Sequence, residues 1–381
     1  MTYDVAVIGA GVFGTWIAWD LVQRGLRVAL IDAHSPAHNR ASSGGESRMI
    51  RIGYGPDEIY SRMARRSLAR WEQLSAEAEL PIFVKTGALN LVIGMEDYAR
   101  HSSRILTGIG VRLEELSPSE LAYRYPQIRL EGVRWGQLEP DSGALLARRG
   151  VQTLARRAMA AGASYLQESC LPPAGSKVTA VRTRSGTVVS AGTFVFAAGP
   201  WLAGLFPALL GSRLFVTRQE VCFFGIPAGD TRFAPETLPA WTDYGPDLHY
   251  GFPDLEGRGF KLAPDFHGPA FDPDTGNREV AADTVTRLRQ FLELRFPALV
   301  DAPLVETRVC QYENTSNGDF LIDRHPEWDN VWLVGGGSGH GFKHGPAIGE
   351  YVTDHLTSTS PLTEPRFSLA SKPITRQRGV Y

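Results

Sequence analysis

The stretch Tyr3-Asp4-Val5-Ala6-Val7-Ile8-Gly9-Ala10-Gly11-Val12-Phe13-Gly14 decides the fold. Its first half is a near-continuous apolar run with β-branched residues, the pattern of a parallel strand buried on both faces. Its second half is a glycine turn that opens a helix over 13–24, in which Phe13, Ile17, Leu21 and Val22 recur at helical spacing before Gly25. A second strand over 27–31 then ends in Asp32. Gly9, Gly11 and Gly14 permit a tight turn, close approach of backbone to a pyrophosphate, and tight packing of helix on strand. The helix N-terminus at Val12 and Phe13 turns free N–H groups and a positive dipole end toward phosphates, while Asp32 is placed to accept hydrogen bonds from an adenosine ribose. Strand, helix, second strand and acidic end together predict a dinucleotide site. They do not separate NAD from FAD, because both present the same adenosine diphosphate.

Outward from this unit, two more strands end in glycine turns. Residues 192–201 run into Gly199 and Trp201, and 331–334 run into Gly335-Gly336-Gly337-Ser338-Gly339-His340-Gly341-Phe342-Lys343, followed by a helix over 346–356. Strands ending near residues 9, 199 and 335 are what one cofactor domain needs when it is assembled from the start, middle and end of a chain. The residues between read as strands over 81–94, 132–138, 216–224, 241–252 and 259–262, with helices over 117–124, 147–161 and 283–296. The expected architecture is α/β: a Rossmann-like domain of discontinuous segments (1–82, 140–213 and 308–358) plus an α+β substrate domain with an antiparallel sheet (83–139 and 214–307). Residues 359–381 read as a loosely attached surface tail.

The chain has 381 residues, enough for two or three domains at roughly 150 residues each. Lys plus Arg number 39 against 41 Asp plus Glu, a net charge of −2, so neither a nucleic-acid surface nor disorder is expected. Cys170, Cys222 and Cys310 are odd in number and far apart, which is no disulfide framework and fits a reducing compartment. No signal peptide is visible, and no stretch approaches the roughly 20 apolar residues that cross a bilayer. A cytoplasmic protein without a membrane partner is expected.

Several further segments carry a resemblance: Ser43-Gly44-Gly45-Glu46-Ser47-Arg48-Met49-Ile50-Arg51, Tyr250-Gly251-Phe252-Pro253, Lys261 with Asp272-Pro273-Asp274-Thr275, Cys310-Gln311-Tyr312, Asp319-Phe320-Leu321-Ile322-Asp323, and Ser338 to Lys343. Across residues 3–356 the chain resembles the FAD-dependent amine oxidases of the D-amino-acid oxidase superfamily, within it the monomeric sarcosine oxidase and N-methyltryptophan oxidase group. The resemblance implies FAD bound covalently through Cys310. It implies that Lys261 activates dioxygen, that Arg51 and Lys343 hold a substrate carboxylate, and that Arg48 lies close to the flavin. Ser43, Gly199, Trp201, Gly339, His340, Gly341, Phe342 and Lys343 join the glycine-turn residues as the expected cofactor contacts. Tyr312 and His267 are expected near the chemistry, and Gly44, Tyr250 and Trp241 beside the substrate. A fixed cation about 4 Å from reduced oxygen is worth up to ~4 kcal/mol at an effective dielectric near 20, roughly a thousandfold in rate. Clustered cations also favour the neutral amine, the form that gives up a hydride equivalent.

Three departures stand out. The family's histidine pair is replaced by Ser43-Gly44, Glu313 follows the motif tyrosine where a threonine is frequent, and two extra residues precede His267. The implied function is a monomeric oxidase of a secondary amino acid, N-methylated or cyclic, giving an imine and H₂O₂. A dehydrogenase passing electrons to a quinone or protein, and a flavin-binding protein without turnover, are the alternatives. Metal binding by His34 with His38, or His340 with His344, is not expected, because Pro36 and flanking glycines deny each pair a helix. Gly336 to His340 fails the nucleophile-elbow pattern by ending in histidine.

Overall fold

A computed structural model describes residues 2–374. Strand Thr2–Ile8 lies inside a seven-stranded sheet, flanked on one side by Val188–Phe196 and on the other by Val28–Asp32, all parallel. Val331–Gly335 pairs parallel beyond Val188–Phe196, and Ser164–Gln167 beyond Val28–Asp32. Leu321–Arg324 and Ala180–Arg182 add antiparallel edges. Ile8 stands opposite Phe196, and Phe196 opposite Leu333, so the three glycine-ended strands deliver their turns to one edge of one sheet. That edge, at the carboxyl ends of parallel strands, is where open α/β sheets bind ligands.

Close backbone approach explains two of the glycines there. A Cβ on Gly9, whose φ is +111°, would stand 2.3 Å from the Ala197 carbonyl oxygen, and one on Gly14 would stand 1.8 Å from the Gly9 carbonyl oxygen. Helix Val12–Gln23 begins there and is apolar nearly all round, with Trp16, Ile17, Ala18 and Leu21 buried. Helix Gly345–Thr357 packs on it through Gly345 and Gly349, whose missing side chains leave room for Trp16.

The second sheet has eight strands in the order Leu304–Thr315, Leu214–Phe224, Phe260–Pro264, His249–Phe252, Ala240–Asp243, Ala88–Val92, Trp135–Glu139, Glu114–Leu116. Expected to be antiparallel, it contains one parallel pair, Ala240–Asp243 with Ala88–Val92. The run expected as one strand over 81–94 breaks at Gly87, whose φ of +77° turns the chain; the earlier piece, Phe83–Val84, joins Gly143–Leu146 and Ser47–Ile50 in a small third sheet. The 117–124 expectation holds: Pro118–Arg124 starts on a capping box between Ser117 and Glu120. Helices Glu58–Ala76 and Glu96–Gly108 are additional to the sequence reading.

Two expectations are corrected. Past Ser358 the chain is not loosely attached: Phe367 is 1% exposed against Tyr60, Phe320 and Tyr351, and Arg366 pairs with Asp57 and Asp319. A buried ring and a double ion pair fasten it, as far as residue 374. Trp241 does not face a substrate. It is fully buried between Phe260 and Phe291, near-parallel to both at 5.8 and 5.7 Å, under helix Ala282–Arg295. Strand alternation turns Thr242 to the cavity and its neighbours Trp241 and Asp243 to the helix, where Asp243 pairs with buried Arg295 at 2.7 Å. Trp241→Ala is therefore expected to lower stability by ~3–5 kcal/mol in urea titration, as large core truncations do.

Candidate active site

A cleft of about 790 Å³ opens along the shared strand edge. Gly9, Gly11, Val12, Phe13 and Asp32 form one end. Asp32 accepts from the backbone N–H groups of Ala10 (2.6 Å) and His34 (2.8 Å), fastening the glycine turn to the second strand, and burial pushes its carboxyl above the usual range. Ser43 accepts from the Val12 N–H at 3.0 Å, which ties the 42–44 turn to the helix start. Gly199 and Trp201 lie along the wall, Trp201 donating to Asp274 at 2.9 Å. Arg48, Cys310, Tyr312, Gly339, Gly341 and Phe342 also line it. The cleft thus gathers most of the expected cofactor contacts. Gly14 stands behind it as a packing glycine, whereas His340 and Lys343 line the neighbouring cavity.

That cavity, about 110 Å³, shares Arg48, Cys310, Tyr312 and Phe342 with the cleft. With Arg48, the side chains of Arg51, Lys261 and Lys343 bring four basic groups to its wall, and Asp265 brings a carboxylate. Lys343 Nζ donates to the Tyr54 hydroxyl at 2.7 Å, which also bonds His344 Nε2 at 2.7 Å and approaches His340 Nδ1 at 3.2 Å. Arg51 lies 5.2 Å over the Tyr54 ring and donates to the Gly53 carbonyl. Burial, and then the Arg51 charge, push Lys343 well below the ordinary lysine value. Lys261 Nζ donates to the Ser47 carbonyl (2.9 Å) and hydroxyl (3.1 Å); burial and then Arg48 push it down likewise, opposed by Cys310 and Glu46. Arg48 donates to the Ser47 and Ser42 carbonyls and places Nη2 3.7 Å from Cys310 Sγ.

The three cysteines differ. Cys222 is buried, Cys170 and Cys310 are both half-buried and line the cleft, and burial pushes the Cys170 and Cys222 thiols up to about 12; Cys310 stands where cleft and cavity meet, beside a guanidinium.

Two expected residues lie elsewhere. Gly44 lines neither space: a Cβ there would stand 2.0 Å from the His38 carbonyl oxygen, so the backbone contact, not a substrate, explains its missing side chain. His267 meets Tyr312 at 6.1 Å but does not line the cavity, whereas Asp265 does. Tyr250 and Tyr312 do line it, and burial pushes Tyr250 up to about 12. Asp265, Tyr54 and Tyr98 escaped the sequence reading; Tyr54, three residues after Arg51, carried the best signal.

The family model described as FAD dependent oxidoreductase matches residues 4–355. The chain belongs to that family. It is 30% identical over 365 residues to N-methyl-L-tryptophan oxidase of Salmonella arizonae, covering 95% of this chain and 96% of that protein. It is 31% identical over 361 residues to monomeric sarcosine oxidase of Bacillus sp., covering 92% and 91%. Among solved structures, L-proline dehydrogenase from P. horikoshii superimposes with a TM-score of 0.84 at 21% identity over 97% of each chain. Glycine oxidase from Geobacillus kaustophilus gives 0.80 at 24% identity over 99% of this chain and 100% of that one. This is a flavin-dependent oxidoreductase, and the cleft fits FAD: a glycine-walled end at a helix start, an acidic residue beside it, and an extended volume reaching the cations.

Within the cleft wall, Glu313 is a buried carboxyl. Its Oε2 accepts from the Gly336 N–H at 2.8 Å, its Oε1 has no hydrogen-bond partner, and burial pushes it up to about 7 against the pull of the Gly336 and Gly337 N–H groups. A carboxyl raised in the fold contributes stability that is full below its unfolded value near 4.5 and is lost as pH rises through about 7. Urea midpoints of the parent are expected to fall between pH 5 and 8 by the equivalent of ~3 kcal/mol more than those of Glu313→Gln, at about 1.36 kcal/mol per pH unit. Parallel pH profiles would remove the carboxyl from this role.

Proposed function

We propose that the protein is a cytoplasmic, monomeric oxidase of a small secondary amino acid, with FAD held covalently through Cys310. Residues 1–82, 140–213 and 308–358 form its cofactor unit in this reading. The observation that carries it is the convergence of Arg51, Lys343 and Lys261 on one cavity that meets the FAD cleft at Cys310 and Tyr312. Arg51 offers a bidentate grip on a carboxylate and Lys343 a point charge, held by Tyr54. These cations also lower the cost of taking the proton from the substrate ammonium. A cavity of about 110 Å³ suits an N-methyl glycine or a five- or six-membered ring.

Bound FAD supplies the two-electron acceptor. The amine CH–NH loses two electrons and two protons to become an imine, water hydrolyses the imine, and dioxygen takes the two electrons with two protons to give H₂O₂. Lys261 acts at the last step. Its Nζ, held by the Ser47 carbonyl and hydroxyl, is placed to stabilise negative charge developing on oxygen.

Peroxide release over a panel of N-methyl and cyclic amino acids tests the activity: one or more is expected to give stoichiometric H₂O₂, and reduction without peroxide would point to a dehydrogenase. Acid-precipitated parent is expected to stay yellow and Cys310→Ser to lose its colour to the supernatant; a colourless parent pellet would reject the thioether. Lys261→Met is expected to slow reoxidation by up to roughly a thousandfold while leaving anaerobic reduction nearly unchanged. Equal slowing of both half-reactions would contradict the assignment.

A further inference from the structure

The ladder between strands Leu214–Phe224 and Phe260–Pro264 pairs Phe223 with Lys261 and Cys222 with Leu262, then stops, and pairing resumes only where Thr217 stands opposite Ala270. Residues 263–269 therefore face only 218–221, and the longer side bulges. Gly268 lets the bulge lie close, since a Cβ there would stand 2.1 Å from the Arg218 carbonyl oxygen. Continued past Leu262, the register sets Asp265 opposite Gln219. The Asp265 N–H donates to the Leu248 carbonyl at 2.7 Å, and the residue lines the substrate cavity. Gln219 lines it too, between that bulge and Cys310, its partner on the other neighbouring strand. Gln219 is 6% exposed, and its Nε2 has no hydrogen-bond partner. Neither residue lines the FAD cleft, so what meets them is a group held in the substrate cavity.

We infer that Gln219 and Asp265 form a subsite for a hydroxyl group, so that the substrate is a hydroxylated secondary amino acid. The inference rests on the oxidase reading above and narrows its substrate. A buried amide N–H calls for an acceptor, and a carboxylate calls for a donor. A hydroxyl is both: it accepts from Gln219 and donates to Asp265. An unsubstituted ring leaves the amide unmet, which lowers its affinity. A side-chain ammonium answers Asp265 alone and adds positive charge beside Arg48 and Arg51. A second carboxylate is repelled by Asp265. The substrate's own carboxylate keeps Arg51 and Lys343, and the hydroxyl becomes a further anchor that fixes how the ring lies.

The test is peroxide release by the holoenzyme from proline, 4-hydroxyproline and 4-aminoproline in all their stereoisomers, with sarcosine beside N-methylserine. For at least one pair kcat/KM is expected to be roughly ten- to a hundredfold higher for the hydroxylated member, as hydrogen bonding to a charged acceptor allows. In Gln219→Met and Asp265→Ala that ratio is expected to fall to about one. Both substrates are compared in the same variant, so a general loss of activity cancels. A parent ratio near one, a ratio that survives both variants, or a preference for the amino ring overturns the subsite. Titration of the parent's flavin spectrum with tetrahydrofuran-2-carboxylate and its 4-hydroxy derivatives, which carry no oxidisable amine, needs no variant. Binding of a hydroxylated acid about tenfold tighter supports the subsite, and equal or weaker binding overturns it. A parent that forms no peroxide from any secondary amino acid overturns the oxidase reading itself; peroxide without preference for the hydroxyl overturns the subsite alone.

Discussion

Backbone packed directly on backbone at one edge of the first sheet is the constraint on which the remainder depends. Gly9 presses against Ala197 and Gly14 against Gly9, so the first helix starts within reach of two neighbouring strand ends. Any side chain at either glycine would push that helix away and withdraw its free N–H groups from the cleft. The contact also fixes Ser43 through its bond to Val12, and with it the 42–44 turn that leads into strand Ser47–Ile50, which carries Arg48 and ends beside Arg51. The geometry at the reactive end is therefore inherited from close packing at the other.

The reactive end concentrates positive charge in a dry space, which is unfavourable in isolation. Arg51 donates to the Gly53 carbonyl, Lys343 to the Tyr54 hydroxyl and Lys261 to the Ser47 carbonyl and hydroxyl, and burial lowers both lysines. In the proposed function the site is complementary to a carboxylate on one side and to developing charge on oxygen on the other. Asp265, Tyr250 and Tyr312 complete the wall.

Much of this was legible in the chain alone. The glycine turn with its flanking strands specified the cofactor fold, because strand burial, glycine geometry and helix periodicity are local properties. The three glycine-ended strands, far apart in the chain, do become neighbours. Motif residues placed Cys310, Lys261, Arg51 and Lys343 in a common region before any coordinates.

What the chain could not declare was which way side chains turn. Trp241 and Thr242 are adjacent, yet the strand pleat sends one to the core and the other to the cavity, and only the register with the neighbouring strands decides which. Gly44 looked like space left for a ligand and proved to be space taken by the His38 backbone. The tail after Ser358 read as loose because its anchors, Asp57, Tyr60 and Asp319, are distant in sequence. The sequence by itself determined the cofactor fold and the inventory of reactive groups, since both follow from local pattern. Only tertiary structure decided which groups share a cavity, because that depends on how separate strands are brought side by side.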